Sequence, residues 1–86
     1  AVPGSAELLY NAGLARAMSG QIETSIAFFE HALTLAPRYL PARENLADVY
    51  VRLAVQLWAE LAASAPTNAS LTRKLRLARE LLQTPG

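Results

Sequence analysis

YVRLAVQLW, Tyr50 to Trp58, sits at the middle of a chain whose flanks alternate helix and turn signals. A helical hairpin should reverse here, and these residues offer nothing to reverse with. From Val49 to Ala63 there is no Gly, Pro, Asn, Asp or Ser, the residues that break helices or shape turns. A short helix–helix connection would have to be made from Val51, Arg52, Leu53 and Ala54, which favour continuation. The apolar phase continues as well. Ala47, Val51, Ala54, Trp58, Leu61 and Ala65 alternate four and three apart, and Leu46, Tyr50, Leu53 and Leu57 form a neighbouring row. The stretch therefore predicts one helix of about 25 residues, roughly 37 Å long at about 1.5 Å per residue, where two antiparallel helices would be expected.

Outward from that centre, punctuation is plain. On the N-terminal side, SAELLYNAGLARAM (Ser5–Met18) has helical spacing at Leu8, Leu9, Ala12, Ala15 and Arg16, with Ser5 as the expected N-cap. Ser19-Gly20-Gln21 is a turn in which Gly20 can take positive φ. A second helix is expected over about Glu23–Ala36, with Ile26, Phe29, Ala32, Leu33 and Ala36 as its stripe, ended by Pro37. Pro41 suits the first turn of the third helix, which finds no stop before Pro66. Asn68 is a good N-cap for a fourth helix running to about Gln83, with Leu71, Leu75, Ala78 and Leu82 on one face and Pro85 and Gly86 closing the chain. The opening AVPGS has no initiator Met or signal-peptide character. The sequence thus reads as a fragment or processed product, and AVPGS is given no fold meaning.

The totals agree with an all-α chain. Eighty-six residues, 52% of them hydrophobic, make one small domain or a few structural repeats. Ala and Leu dominate, whereas β-branched and aromatic residues are too sparse for a β fold. A formal net charge of +1 marks neither a polyanion binder nor an acidic protein. There is no cysteine, hence no disulfide framework and no thiolate metal site. No apolar run reaches the roughly 18 residues needed to cross a bilayer. The expectation is a soluble chain without membrane contact, in the cytoplasm by slight preference.

Residue types also recur along the chain. At an offset of 34, Leu9, Ala12, Gly13 and Arg16 correspond to Arg43, Leu46, Ala47 and Tyr50. Further on the offset is 29: Ser25, Phe29, Ala32 and Pro37 correspond to Ala54, Trp58, Leu61 and Pro66. Five residues are missing from the second copy, between Tyr50 and Ala54. Their counterparts in the first copy are Gly20 to Thr24, which include the turn glycine. This pattern resembles the tetratricopeptide repeat (TPR) family, whose helix A and helix B carry small, apolar and aromatic residues in this order. The resemblance runs from Ala6 to about Gln83. It implies a first repeat over about residues 6–39, a shortened second repeat over about 40–68 and a capping helix over about 69–83. Small Gly13 and Ala47 would let helices A and B approach, and Phe29 and Trp58 would fill the gap toward the next unit. Departures are Arg16 in place of the usual Tyr, Arg43 in place of a large apolar residue, and Arg76 where a further repeat would need a small one.

A fused third helix cannot fold back on itself, so both of its halves would expose apolar rows. Fully burying one large apolar side chain contributes about 1.5–3 kcal/mol, against a whole margin of about 5–15 kcal/mol for a folded domain. The expected repair is a second copy running antiparallel, a domain swap with a two-fold axis near Leu53 and Ala54. Its interface would use Leu46, Tyr50, Leu53, Ala54, Leu57, Trp58 and Leu61. The fold expected is thus a TPR-like four-helix chain with a long fused third helix, completed by a swapped partner chain.

Catalytic chemistry finds no footing. His31 is the one histidine and Asp48 the one aspartate; adjacent Glu30 does not face His31 on a helix. No phosphate loop, HExxH or nucleophile elbow occurs, and no cofactor or metal ligand set is expected. The TPR resemblance implies a peptide groove on the helix-A face. Asn11 and Asn45, 34 apart, stand where family members hold peptide backbone, with Tyr10, Leu14, Glu44, Asp48 and Arg52 on the same face. The family's carboxylate clamp is unmatched, because Tyr10 and Leu14 stand where Lys and Asn would be needed. RKLRLAR brings Arg73, Lys74, Arg76 and Arg79 together without an aromatic to stack on bases, a basic run read as a solvated helix face. The sequence is compatible with a non-enzymatic self-associating scaffold, with a monomeric peptide-binding fragment of a longer array, and with a nucleic-acid binder using the last helix. The expected partners are the chain itself and an unidentified protein or peptide.

Overall fold

The computed structural model describes residues 3–83. They form four α-helices: α1 Gly4–Met18, α2 Ile22–Leu35, α3 Leu40–Ser64 and α4 Ala69–Gln83. There is no strand among the described residues. α3 is continuous over 25 residues, so YVRLAVQLW is helical throughout, as its lack of breakers requires. The terminal Pro85 and Gly86 lie outside the described residues. The chain divides into two compact units, one through Tyr50 and one from Val51.

The first unit is organised by the turn between α1 and α2. Gln21 N–H donates to the Arg16 carbonyl at 2.8 Å and Gly20 N–H to the Ala17 carbonyl at 3.1 Å. These paired bonds satisfy carbonyls that the helix end leaves over, and they require a left-handed residue between them. Gly20 supplies it at φ +81°. Side chains brace the turn: Arg16 Nη1 donates to Gln21 Oε1 at 2.9 Å, and Gln21 Nε2 to Ser19 Oγ at 2.9 Å. The chain then returns close enough that a Cβ on Gly13 would lie 2.7 Å from the Phe29 ring. Phe29 is wholly buried with Ala6, Ser25, Ala32 and Ala42, and Ile22 and Val49 are nearly so. Ser25 enters this core because its hydroxyl donates to the Ile22 carbonyl at 2.6 Å, which removes the cost of an unpaired buried donor.

One cap differs from expectation. α1 opens at Gly4 after Pro3, not at a Ser5 cap, and no side chain caps it. The Pro3 carbonyl accepts from Ala6 N–H at 3.0 Å and Glu7 N–H at 3.2 Å. Pro3 is extended, at φ −56° and ψ 138°, so its carbonyl starts the helix two residues early and takes Gly4 and Ser5 into the first turn.

The turns after α2 and α3 repeat each other at the 29-residue offset. Tyr39 N–H donates to the Ala36 carbonyl at 3.0 Å, and Asn68 N–H to the Ala65 carbonyl at 3.0 Å. The next helix then starts on the same acceptor: Arg43 N–H to the Tyr39 carbonyl at 3.3 Å, and Thr72 N–H to the Asn68 carbonyl at 3.2 Å. Asn68 caps α4 through its own side chain, with Oδ1 accepting from Leu71 N–H at 3.1 Å. In the second unit, the C-terminal part of α3 and α4 bury Leu75 and Ala78. Leu71 is half-buried beside them, whereas Leu82, expected on the same face, is 38% exposed.

Candidate functional site

The helix-A face of the first unit is built around Tyr10. Its ring meets Tyr39 edge-on at 5.2 Å and tilts toward Phe29 at 5.8 Å. The Tyr10 hydroxyl accepts from Asn45 Nδ2 at 3.1 Å, and the same amide nitrogen donates to the Pro41 carbonyl at 2.8 Å. An amide nitrogen has two hydrogens, so both are committed within the unit and the Asn45 side-chain carbonyl is what remains for another group. Burial, and then the charges of Tyr39 and Glu44, raise the Tyr10 phenol above its ordinary pKa. Asn11 and Asp48 are exposed, and Leu14 is half-buried. Arg52 is exposed in the second unit. Glu44 is exposed as well, so of the seven groove residues read from the sequence Tyr10 and Asn45 are the pair joined by a direct bond.

Along α3 the row of apolar residues is incompletely covered. Leu46, Leu53, Ala54 and Trp58 are half-buried, while Tyr50, Leu57 and Leu61 are 44%, 50% and 53% exposed. Tyr50 is tied down at its tip, where the hydroxyl donates to Glu30 Oε2 at 3.1 Å. In the second unit, Val51, Ala54 and Trp58 of α3 and Leu77, Ala78 and Leu81 of α4 line an open groove of about 250 Å³, with Lys74 also on its wall. Leu77 and Leu81 are 49% and 64% exposed. Neither lies on the Leu71, Leu75, Ala78 and Leu82 stripe that the sequence predicts for α4. The signal was present, since leucines at 75, 77, 81 and 82 are too many for one stripe of a short helix.

His31 is exposed on α2, and no three His, Cys, Asp or Glu side chains come together as a metal site among the described residues. Arg73 and Arg76 line a shallow hollow with Pro66, Thr67, Ala69 and Thr72 at the start of α4, and Lys74 and Arg79 are exposed. No described helix is long and apolar enough to cross a membrane. No family model, no curated protein and no solved structure matches the chain.

Proposed function

We propose that the chain is a non-enzymatic, TPR-like protein-interaction module that works as a homodimer, assembled by exchange of the halves of α3 between two copies. The observation that carries this reading is the unbroken 25-residue α3 beside an under-filled second unit. A turn at that point would have returned a helix onto Trp58. Without it, Leu57, Leu61, Leu77 and Leu81 are each about half or more exposed, and burying each would contribute about 1.5–3 kcal/mol. A second copy offers the same surface in reverse and closes the assembly with two-fold symmetry, so that growth stops at two chains. The function is then self-assembly that presents two copies of the helix-A face, with Asn11 exposed on each, to protein or peptide partners.

Sedimentation velocity at micromolar concentration tests this. The expected species has twice the 9.3 kDa chain mass. Inserting the five residues GQIET of the first repeat between Leu53 and Ala54 supplies the lost turn and should convert it to a monomer. A wild-type chain that sediments at its single mass over that range overturns the proposal.

A further inference from the structure

We propose that the groove beside Trp58 receives α3 of a second copy of this chain, antiparallel, in the register that sets Trp58 against the second copy's Ala47. The inference rests on the homodimer reading and fixes what that reading leaves open, the register.

The first unit supplies the template. Phe29 lies directly on Gly13, where an added Cβ would come within 2.7 Å of its ring, and the Tyr10 ring flanks it at 5.8 Å. Moving Phe29 by its offset of 29 gives Trp58; moving Gly13 and Tyr10 by 34 gives Ala47 and Glu44. In one chain the counterparts cannot meet, because Ala47 and Trp58 stand on the same continuous helix, about 16 Å apart along its axis. Two antiparallel copies restore the counterpart contact twice, Trp58 on Ala47 and Ala47 on Trp58, with the helices further apart than at Gly13 because Ala47 carries the Cβ that Gly13 lacks. That condition alone puts the two-fold axis level with Arg52 and Leu53. It also pairs Val51 with Ala54 and Glu44 with Leu61. These residues alternate three and four apart along α3, the spacing with which one helix packs into another.

The chemistry of the two faces fits this occupant. Ala47 is exposed although apolar, and exposed Glu44 and Asp48 stand on either side of it. The groove it would enter is apolar apart from Lys74. An alanine between two carboxylates thus meets an apolar trough with a cation at its edge.

Cysteine scanning tests the register cleanly, because the chain has no cysteine of its own. Val51→Cys and Ala54→Cys each lie about 4.5 Å along the axis from their own copies in this register, whereas Ala47→Cys lies about 16 Å from its copy. A disulfide needs Cα atoms within about 7 Å. Each variant is first sedimented under reductant, then oxidised and run without reductant. The expected result is a dimer under reductant, with Val51→Cys self-linking at least tenfold faster than Ala47→Cys. Ala54→Cys gives the same reading if Val51→Cys does not fold. Ala47→Cys linking as fast as both, in a chain that remains dimeric under reductant, overturns the register and leaves the homodimer standing. A monomeric wild type overturns both.

Discussion

Phe29 and Trp58 hold corresponding places in the two units and meet opposite fates. Phe29 is fully buried against Gly13, beneath a turn held by Gly20. Trp58 lines an open groove, on a helix that passes straight through the place of the matching turn. Five residues separate the two outcomes. With the turn, a large aromatic finds a glycine on the preceding helix and gains its burial within one chain. Without it, an even larger aromatic stays half-buried on the wall of an open groove. Sequence positions that match at offsets of 34 and 29 thus form a close helix hairpin in one unit and line an open groove in the other.

The largest expected effect comes from truncating both aromatics. Phe29→Ala should cost about 3–5 kcal/mol of stability, equally at all protein concentrations, as read by urea unfolding followed by circular dichroism. Trp58→Ala should cost little in dilute solution and progressively more as concentration rises, because stabilisation by a partner grows with its concentration. Equal costs for Trp58→Ala across a hundredfold range of concentration would end the contrast between the units.

The turns and caps give smaller effects. Gly20→Ala puts an L side chain at φ +81°, which costs about 1–2 kcal/mol, and the first unit should bear the whole loss. Asn68→Ala removes the bond to Leu71 N–H and should cost about 1 kcal/mol, borne by α4. Hydrogen exchange resolved by segment separates them. Gly20→Ala should speed exchange in α1 and α2 and leave α4 unchanged, and Asn68→Ala should do the reverse. If either substitution loosened both units alike, they would not be separate folding units.

What the sequence made legible follows the same division. The continuity of α3 was readable because it depends on local chemistry alone, the absence of any helix breaker from Val49 to Ala63. The positive φ of Gly20 and the Asn68 cap were readable for the same reason: each is one residue type meeting one local need. Phe29, by contrast, is expected from the TPR resemblance to fill the gap toward the next unit, and it lies on Gly13 instead. The Ser5 cap was misread because a side-chain rule was applied where a backbone carbonyl, that of Pro3, already served. The Asn45 amide hydrogens are spent on Tyr10 and Pro41, which no spacing rule foretells, since it depends on where a neighbouring helix delivers a phenol. Leu77 and Leu81 were passed over because a single-stripe reading assumes one buried face, and α4 carries two apolar rows.

The smallest effect probes the end of the first unit. Tyr50, its last residue, donates its phenol to Glu30 Oε2. Burial, then this hydrogen bond and the Glu30 charge, raise its pKa above the ordinary value of 10.0. The folded chain thus holds the Tyr50 proton more tightly than the unfolded chain does. The stability this contributes is complete below about pH 10 and is lost as pH rises through the folded pKa. Glu30→Gln removes the charge while keeping an acceptor, so Tyr50 should titrate lower, with Tyr10 unchanged because its own neighbours are Tyr39 and Glu44. Tyrosinate absorbance of the Tyr10→Phe/Tyr39→Phe double variant isolates Tyr50, and that of Tyr39→Phe/Tyr50→Phe isolates Tyr10. Because Tyr50 is 44% exposed, water screens most of the effect on stability, and the titration itself is the sensitive reading. Its dependence on concentration then bears on the partner. If a second copy covers the exposed part of the ring, the Tyr50 pKa should rise further on concentrating the protein, and one that stays fixed would remove Tyr50 from the interface.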